Sequence, residues 1–252
     1  MAILQQKDRE AVQRRLDAEM VNEVTLTLYT QANLGIYVPG RECQYCGPAE
    51  QLLDELAGLS TKLALKKVDV HKSTQGVRDS GIERIPAIVI GRGDSENARF
   101  YGMPMGLEFA SFLDSIISAS REQTALKADT KEKLAALEGL DEYVHIRVFV
   151  TPTCGYCPGM VRMAHNMAFE SGKVLADVIE VQEFPELAQH YDVRSVPKTV
   201  INDSIELLGM VPEEMLVKGI YHAIGIDVFE DEGEEQQAGE DAAETPQTTT
   251  AI

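Results

Sequence analysis

The sequence predicts an α/β protein built of two tandem units, each a central mixed β-sheet flanked by helices. Three observations carry that expectation. Two Cys-x-x-Cys motifs sit in the same strand-to-helix context, an offset of 111 residues superimposes the two halves, and a proline stands 43 residues beyond the first cysteine of each motif. The length of 252 residues fits about two domains at roughly 150 residues each. The expected divisions are 1–120, 121–228 and a tail over 229–252.

In the first half, Val24, Leu26 and Leu28 alternate as in a strand, and Cys43-Gln44-Tyr45-Cys46 follows. Pro48 then opens a helix whose apolar face is Ala49, Leu52, Leu53, Leu56 and Leu59. Val68-Asp69-Val70 reads as a second strand, and Ile85-Pro86 leads into the β-rich run Ala87–Ile90. A further strand, the pair Gly102-Met103 and a helix over Leu107–Ala119 complete this half. The second half repeats the series. The run His145–Val150, the turn Thr151-Pro152-Thr153 and Cys154-Gly155-Tyr156-Cys157 come first. Pro158 then opens a helix with Met160, Val161, Ala164, Met167 and Ala168 on one face. Ile179-Glu180-Val181, Val196-Pro197, Thr199-Val200-Ile201, Gly209-Met210 and a helix over Pro212–Ala223 follow. Between the halves, Arg121–Ala128 is expected to bridge to a helix near Asp129–Leu137.

Composition narrows the function classes. With 23 Lys or Arg against 41 Asp or Glu, the net charge is −18. That excludes a basic groove for nucleic acid and a surface for anionic membranes. No apolar run approaches the roughly 18 residues that span a bilayer. The N-terminal stretch mixes charges and lacks an apolar h-region, so a cytoplasmic location is expected. Residues 229–252 carry eight Asp or Glu and no Lys or Arg, the composition of a disordered, solubilising tail.

The cysteines are the chemically informative residues. All four fall in the two pairs Cys43/Cys46 and Cys154/Cys157. In a reducing compartment such pairs are redox dithiols or halves of a metal site. A strand-to-helix junction favours the first, because free N–H groups and the helix dipole stabilise a thiolate there. Cys43 and Cys154, expected at the helix starts, would attack a disulfide. Cys46 and Cys157 would resolve the mixed disulfide. One zinc held by four thiolates is the rival chemistry. It is disfavoured because the pairs lie in separate, complete units, so no metal is expected. A non-enzymatic scaffold would not need two intact dithiols.

These landmarks together resemble the thioredoxin fold, in which the proline faces the active-site disulfide and is usually cis. Two such units in tandem, each with its own dithiol, resemble the protein disulfide oxidoreductase, or glutaredoxin-like, family of thermophilic prokaryotes. The resemblance rests on Cys43-Gln44-Tyr45-Cys46, Val148–Cys154, Tyr156-Cys157-Pro158, Val161–His165 and Val196-Pro197-Lys198, and it covers about residues 8–226. It implies a protein dithiol–disulfide oxidoreductase with no cofactor beyond its own disulfides. The implied partners are protein disulfide substrates and a thioredoxin-reductase-like flavoenzyme. Cis prolines at Pro86 and Pro197 would leave Ile85 and Val196 to pair with a substrate strand, with Tyr45 and Tyr156 in reach of it. The tandem arrangement also resembles the N-terminal part of the alkyl hydroperoxide reductase flavoprotein. That gives the alternative function, a reductase module serving a peroxiredoxin.

The halves are not identical. Residues 31–42 form a twelve-residue lead-in to Cys43, whereas only Thr151–Thr153 precede Cys154. The long lead-in is expected to cover the first site, so the second should carry most of the turnover. His165, Arg162, Arg147, Asp69, Glu180 and the methionines Met160, Met163 and Met167 read as packing or surface residues rather than catalytic ones. The residues between the cysteines, Gln-Tyr and Gly-Tyr, do not fix a potential, so the direction of electron flow is open.

Overall fold

The computed structural model describes residues 2–31, 43–72, 80–93 and 95–226. The acidic tail and residues 32–42 of the first lead-in lie outside the described residues, as do residues 73–79. A helix α1 (Gln6–Glu19) precedes β1 (Val24–Thr30), α2 (Cys46–Ala57), β2 (Leu63–Asp69), β3 (Ala87–Arg92), β4 (Ser95–Tyr101) and α3 (Leu107–Ala119). Then come α4 (Ala128–Ala136), β5 (Val144–Val150), α5 (Cys157–Glu170), β6 (Val174–Glu180), α6 (Pro185–His190), β7 (Lys198–Ile201), β8 (Ile205–Leu208) and α7 (Glu213–Ala223).

The strands form one mixed sheet in the order β2-β1-β3-β4-β6-β5-β7-β8. Within each half, the strand before the CxxC pairs in parallel with the next strand and antiparallel with the one after the cis proline. The halves join through β4 and β6, which run parallel from Ala98↔Ala176 to Tyr101↔Ile179. The two halves therefore share one continuous sheet.

The sheet is covered on both faces, so its inner strands lose their alternation. In β1 the side chains of Leu26 and Leu28 point to one core and Tyr29 to the other, and both sets are buried. One core runs beneath both halves and takes in Leu53, Phe100, Phe112, Ile116, Val148, Met160 and Met167. Phe100 and Phe112 meet edge-on with ring centres 5.9 Å apart, worth roughly 0.5–1.5 kcal/mol beyond burial. The opposite core joins Tyr101 and Val89 of the first half to Phe149, Ile179 and Phe184 of the second. Burying both junction faces makes the two halves one body.

Helix α1 is not marked by the motif pattern, since it buries only Val12 and Leu16 among its own residues. Its start is fixed by Glu55 on α2. That carboxylate accepts the N–H groups of Ile3 (2.9 Å) and Leu4 (3.0 Å) and pairs with Arg9 at 3.2 Å.

Candidate active site

Each cysteine pair is placed by the end of a central strand, the first turn of a helix and a cis proline. Both pairs are closed as disulfides, Cys43–Cys46 with Cα atoms 5.3 Å apart and Cys154–Cys157 at 5.5 Å. Contrary to expectation, the first cysteines do not open the helices. The helices start at Cys46 and Cys157, with Tyr45 and Tyr156 as caps, so Cys43 and Cys154 stand in the preceding turns. The physical reason is local. The Cys154 N–H is bonded back to the Thr151 carbonyl at 3.2 Å, which holds this residue in the turn. The N–H of Cys157 still points at the Cys154 sulfur at 3.1 Å, so the helix end polarises that atom from outside the helix. Cys46 and Cys157 are buried, while Cys43 and Cys154 are only partly covered.

The Ile85–Pro86 and Val196–Pro197 peptide bonds are both cis. The Cys154 sulfur lies 3.6 Å from the Val196 carbonyl oxygen, and Pro86 lines a groove together with Cys43. After each proline the repeat persists in detail. Gly102 donates its N–H to the Pro86 carbonyl at 2.9 Å, and Gly209 to that of Pro197 at 2.8 Å. Strands β3 and β7 begin at Ala87 and Lys198, so among the described residues Ile85 and Val196 stand just outside the ladders. Tyr156 is 72% exposed, whereas Tyr45 packs partly against the core.

The other residues weighed in the sequence take structural positions. His165 on α5 is fully buried against α3 and β4, with Nδ1 2.7 Å from Ser115 Oγ and Nε2 3.1 Å from the Arg99 carbonyl. Burial pushes its pKa down to about 4, so it is neutral. Arg162 pairs with Asp114 and Arg147 with Asp203. Met160 and Met167 are core, and Met163 packs partly against it. Among the described residues no group of three or more His, Cys, Asp or Glu is arranged to hold a metal.

Sequence reasoning missed what each half does to the other's site. Leu107 of the first half donates its N–H to the Pro152 carbonyl at 2.9 Å, bracing the lead-in to Cys154. A Cβ on Gly106 would lie 2.6 Å from that oxygen, and its φ is +55°, so the contact requires glycine. In return, residues Gln182–Glu186 of the second half wall the first site. They close a groove of about 710 Å³ with Cys43, Gln44, Tyr45 and Glu83–Pro86. Gly102 (φ +108°) lets this wall approach, since a Cβ there would meet Glu180 at 3.0 Å and Glu183 at 3.2 Å.

Carboxyl groups concentrate along that seam. Glu108 is fully buried, with neither carboxyl oxygen hydrogen-bonded among the described residues. Burial, aided by the charges of Glu180 and Glu183, pushes its pKa up to about 9. Glu183 is raised to about 7, chiefly by burial, although its Oε1 accepts the Met103 N–H at 2.8 Å. Burial also raises Glu180, against the pull of the N–H groups of Gln182 and Glu183 on its carboxylate. A sequence signal for the groove did exist. At the 111-residue offset, Glu83 of the first half stands where the second has Arg194.

Comparison with known proteins agrees with this geometry. Residues 144–222 match the thioredoxin domain family. The protein disulfide oxidoreductase of Aeropyrum pernix superimposes with a TM-score of 0.77 at 26% identity, over 88% of this chain and 94% of that one. An alkyl hydroperoxide reductase protein of Pseudomonas aeruginosa is 27% identical over 169 residues, 66% of this chain, but the chain spans only 30% of that protein's length. Thioredoxin of Methanocaldococcus jannaschii is 36% identical over 78 residues, 31% of this chain and 92% of that protein. The chain belongs to the thioredoxin family, as a tandem of two thioredoxin folds.

Proposed function

We propose that the protein is a dithiol–disulfide oxidoreductase acting on protein disulfides, with units 1–120 and 121–228 each contributing one dithiol. The observation that carries this reading is the double constellation of a CxxC disulfide beside a cis X-Pro bond, with one cysteine of each pair partly exposed and the other buried. In the reduced protein, the thiolate of Cys154 or Cys43 attacks a substrate disulfide and expels one substrate thiolate, which takes up a proton. The thiolate of Cys157 or Cys46 then breaks the mixed disulfide and releases the second. Two electrons pass to the substrate and the CxxC disulfide is formed. Ile85 and Val196, outside the ladders, offer backbone groups to an extended substrate, and exposed Tyr156 offers an apolar contact. A thioredoxin-reductase-like flavoenzyme would restore the dithiols in a cytoplasmic setting.

Reduction of insulin driven by dithiothreitol tests this reading. The full chain should speed precipitation of the B chain, and the variant with all four cysteines changed to serine should leave the uncatalysed rate. Equal rates for the two proteins would refute it. The likeness to the alkyl hydroperoxide reductase protein favours a second reading, in which the electrons pass to a peroxiredoxin. Peroxide consumption that requires both this chain and a peroxiredoxin would support it.

A further inference from the structure

We propose that the first dithiol, Cys43–Cys46, selects disulfides carried on extended, positively charged polypeptide segments, with Glu83 and Glu186 setting the specificity. This rests on the thiol–disulfide exchange reading and names the substrate class of one of its two sites. The groove beside Cys43 has two walls, one from each half, and its volume of about 710 Å³ lies in the ordinary range of binding clefts, roughly 300–1,000 Å³. Such a cleft admits an extended segment and excludes the bulk of a folded domain. Its described lining holds the carboxylates of Glu83 and Glu186 and one guanidinium, while the Glu183 carboxyl is turned away to the Met103 N–H. That guanidinium, Arg84, is engaged with Glu186 across the groove at 3.4 Å. Cationic side chains flanking a substrate cysteine would compensate this excess, and anionic ones would add to it.

The second site differs in the charge beside its dithiol. Around Cys154 the exposed side chains include the apolar Tyr156 and Met210, 72% and 54% exposed, and no carboxylate stands at the position of Glu83. Met210 lies on the first turn of α5, where a Cβ on Gly159 would meet it at 2.7 Å. Arg194 occupies the position equivalent to Glu83 and is bonded to Asp192 at 2.9 Å. The residue pair preceding the cis-proline dipeptide is therefore Glu-Arg in one half and Arg-Ser in the other.

The test uses the full chain with one dithiol at a time and dithiothreitol as the electron source. Fluorogenic disulfide peptides flanked by Lys or by Glu, otherwise identical, are the substrates. With Cys154→Ser/Cys157→Ser, kcat/KM should favour the Lys peptide by about tenfold, the scale of a local electrostatic preference. Glu83→Lys/Glu186→Lys in that background should abolish or invert the preference. With Cys43→Ser/Cys46→Ser the two peptides should differ by less than about threefold, since only the field of the whole acidic protein then acts. An equal preference at both sites, or one that survives the charge reversal, overturns the proposal and leaves the exchange reading standing. No turnover of either peptide at either site overturns both.

Discussion

Met103 and Met210 occupy equivalent places in the repeat, each following the glycine bonded to its cis proline, yet Met103 is 5% exposed and Met210 54%. The second half lies over Met103 and takes its N–H on Glu183, while nothing comparable among the described residues covers Met210. Two nearly equivalent sequence modules thus acquire unequal sites because the units are joined side by side rather than around a twofold axis. The first dithiol opens into a walled, acidic groove. The second stands beside the exposed Tyr156 and is braced by Gly106 and Leu107. What distinguishes the sites is supplied by the other half in each case.

The sharpest consequence concerns trapping. Cys157→Ser leaves Cys154 to attack without a resolving thiol, so mixed disulfides with insulin chains should dominate on a non-reducing gel. Cys46→Ser should accumulate them more weakly, because a folded substrate enters the groove poorly. Equal trapping by the two variants would remove the distinction. The repeat methionines give a second test, in stability. Met103→Ala should cost about 2–4 kcal/mol, as for a buried methionine at a packed junction, and Met210→Ala less than about 1 kcal/mol. Denaturant unfolding measures both. Similar losses would mean that the junction does not cover Met103 as described.

The acidic seam should appear in the pH dependence. An unfolded glutamate ionises near 4.5, whereas Glu108 keeps its proton to about 9, so stability falls as pH rises through that window. Replacing it by Gln removes this cost. At pH 8 Glu108→Gln should be more stable than the parent by about 2 kcal/mol, with the gain shrinking toward pH 5. A difference that does not change with pH would show that Glu108 is not held protonated. His165 acts in the opposite sense. Its folded pKa of about 4 lies below the ordinary 6.5, so its contribution is intact above pH 6.5 and is lost as pH falls toward 4.

Much of the fold was legible in the residues themselves. The 111-residue offset, the equal Cys-to-Pro intervals and the Gly-Met pairs gave both units, and helix α3 has the expected bounds, Leu107–Ala119. Helix α1 was not legible, because what anchors it is Glu55, some fifty residues away on α2. Cys43 and Cys154 were placed at the helix starts but stand three residues before them, since the turn bond from Cys154 to Thr151 leaves no trace in apolar spacing. The cysteine pairing and the two cis prolines were legible because their chemistry is local. The groove wall at Gln182–Glu186 and the buried Glu108 were not found. They matter only through a sheet junction, β4 beside β6, that brings residues about eighty positions apart into contact.

The unequal division of labour is tested most directly by insulin reduction with one dithiol removed at a time. The full chain carrying Cys154→Ser/Cys157→Ser should lose most of the turnover, and Cys43→Ser/Cys46→Ser should keep most of it. If the two variants lose activity equally, or if removing the first dithiol is the more damaging change, the sites share the work or pass electrons in series, and the asymmetry argued from their surroundings is wrong.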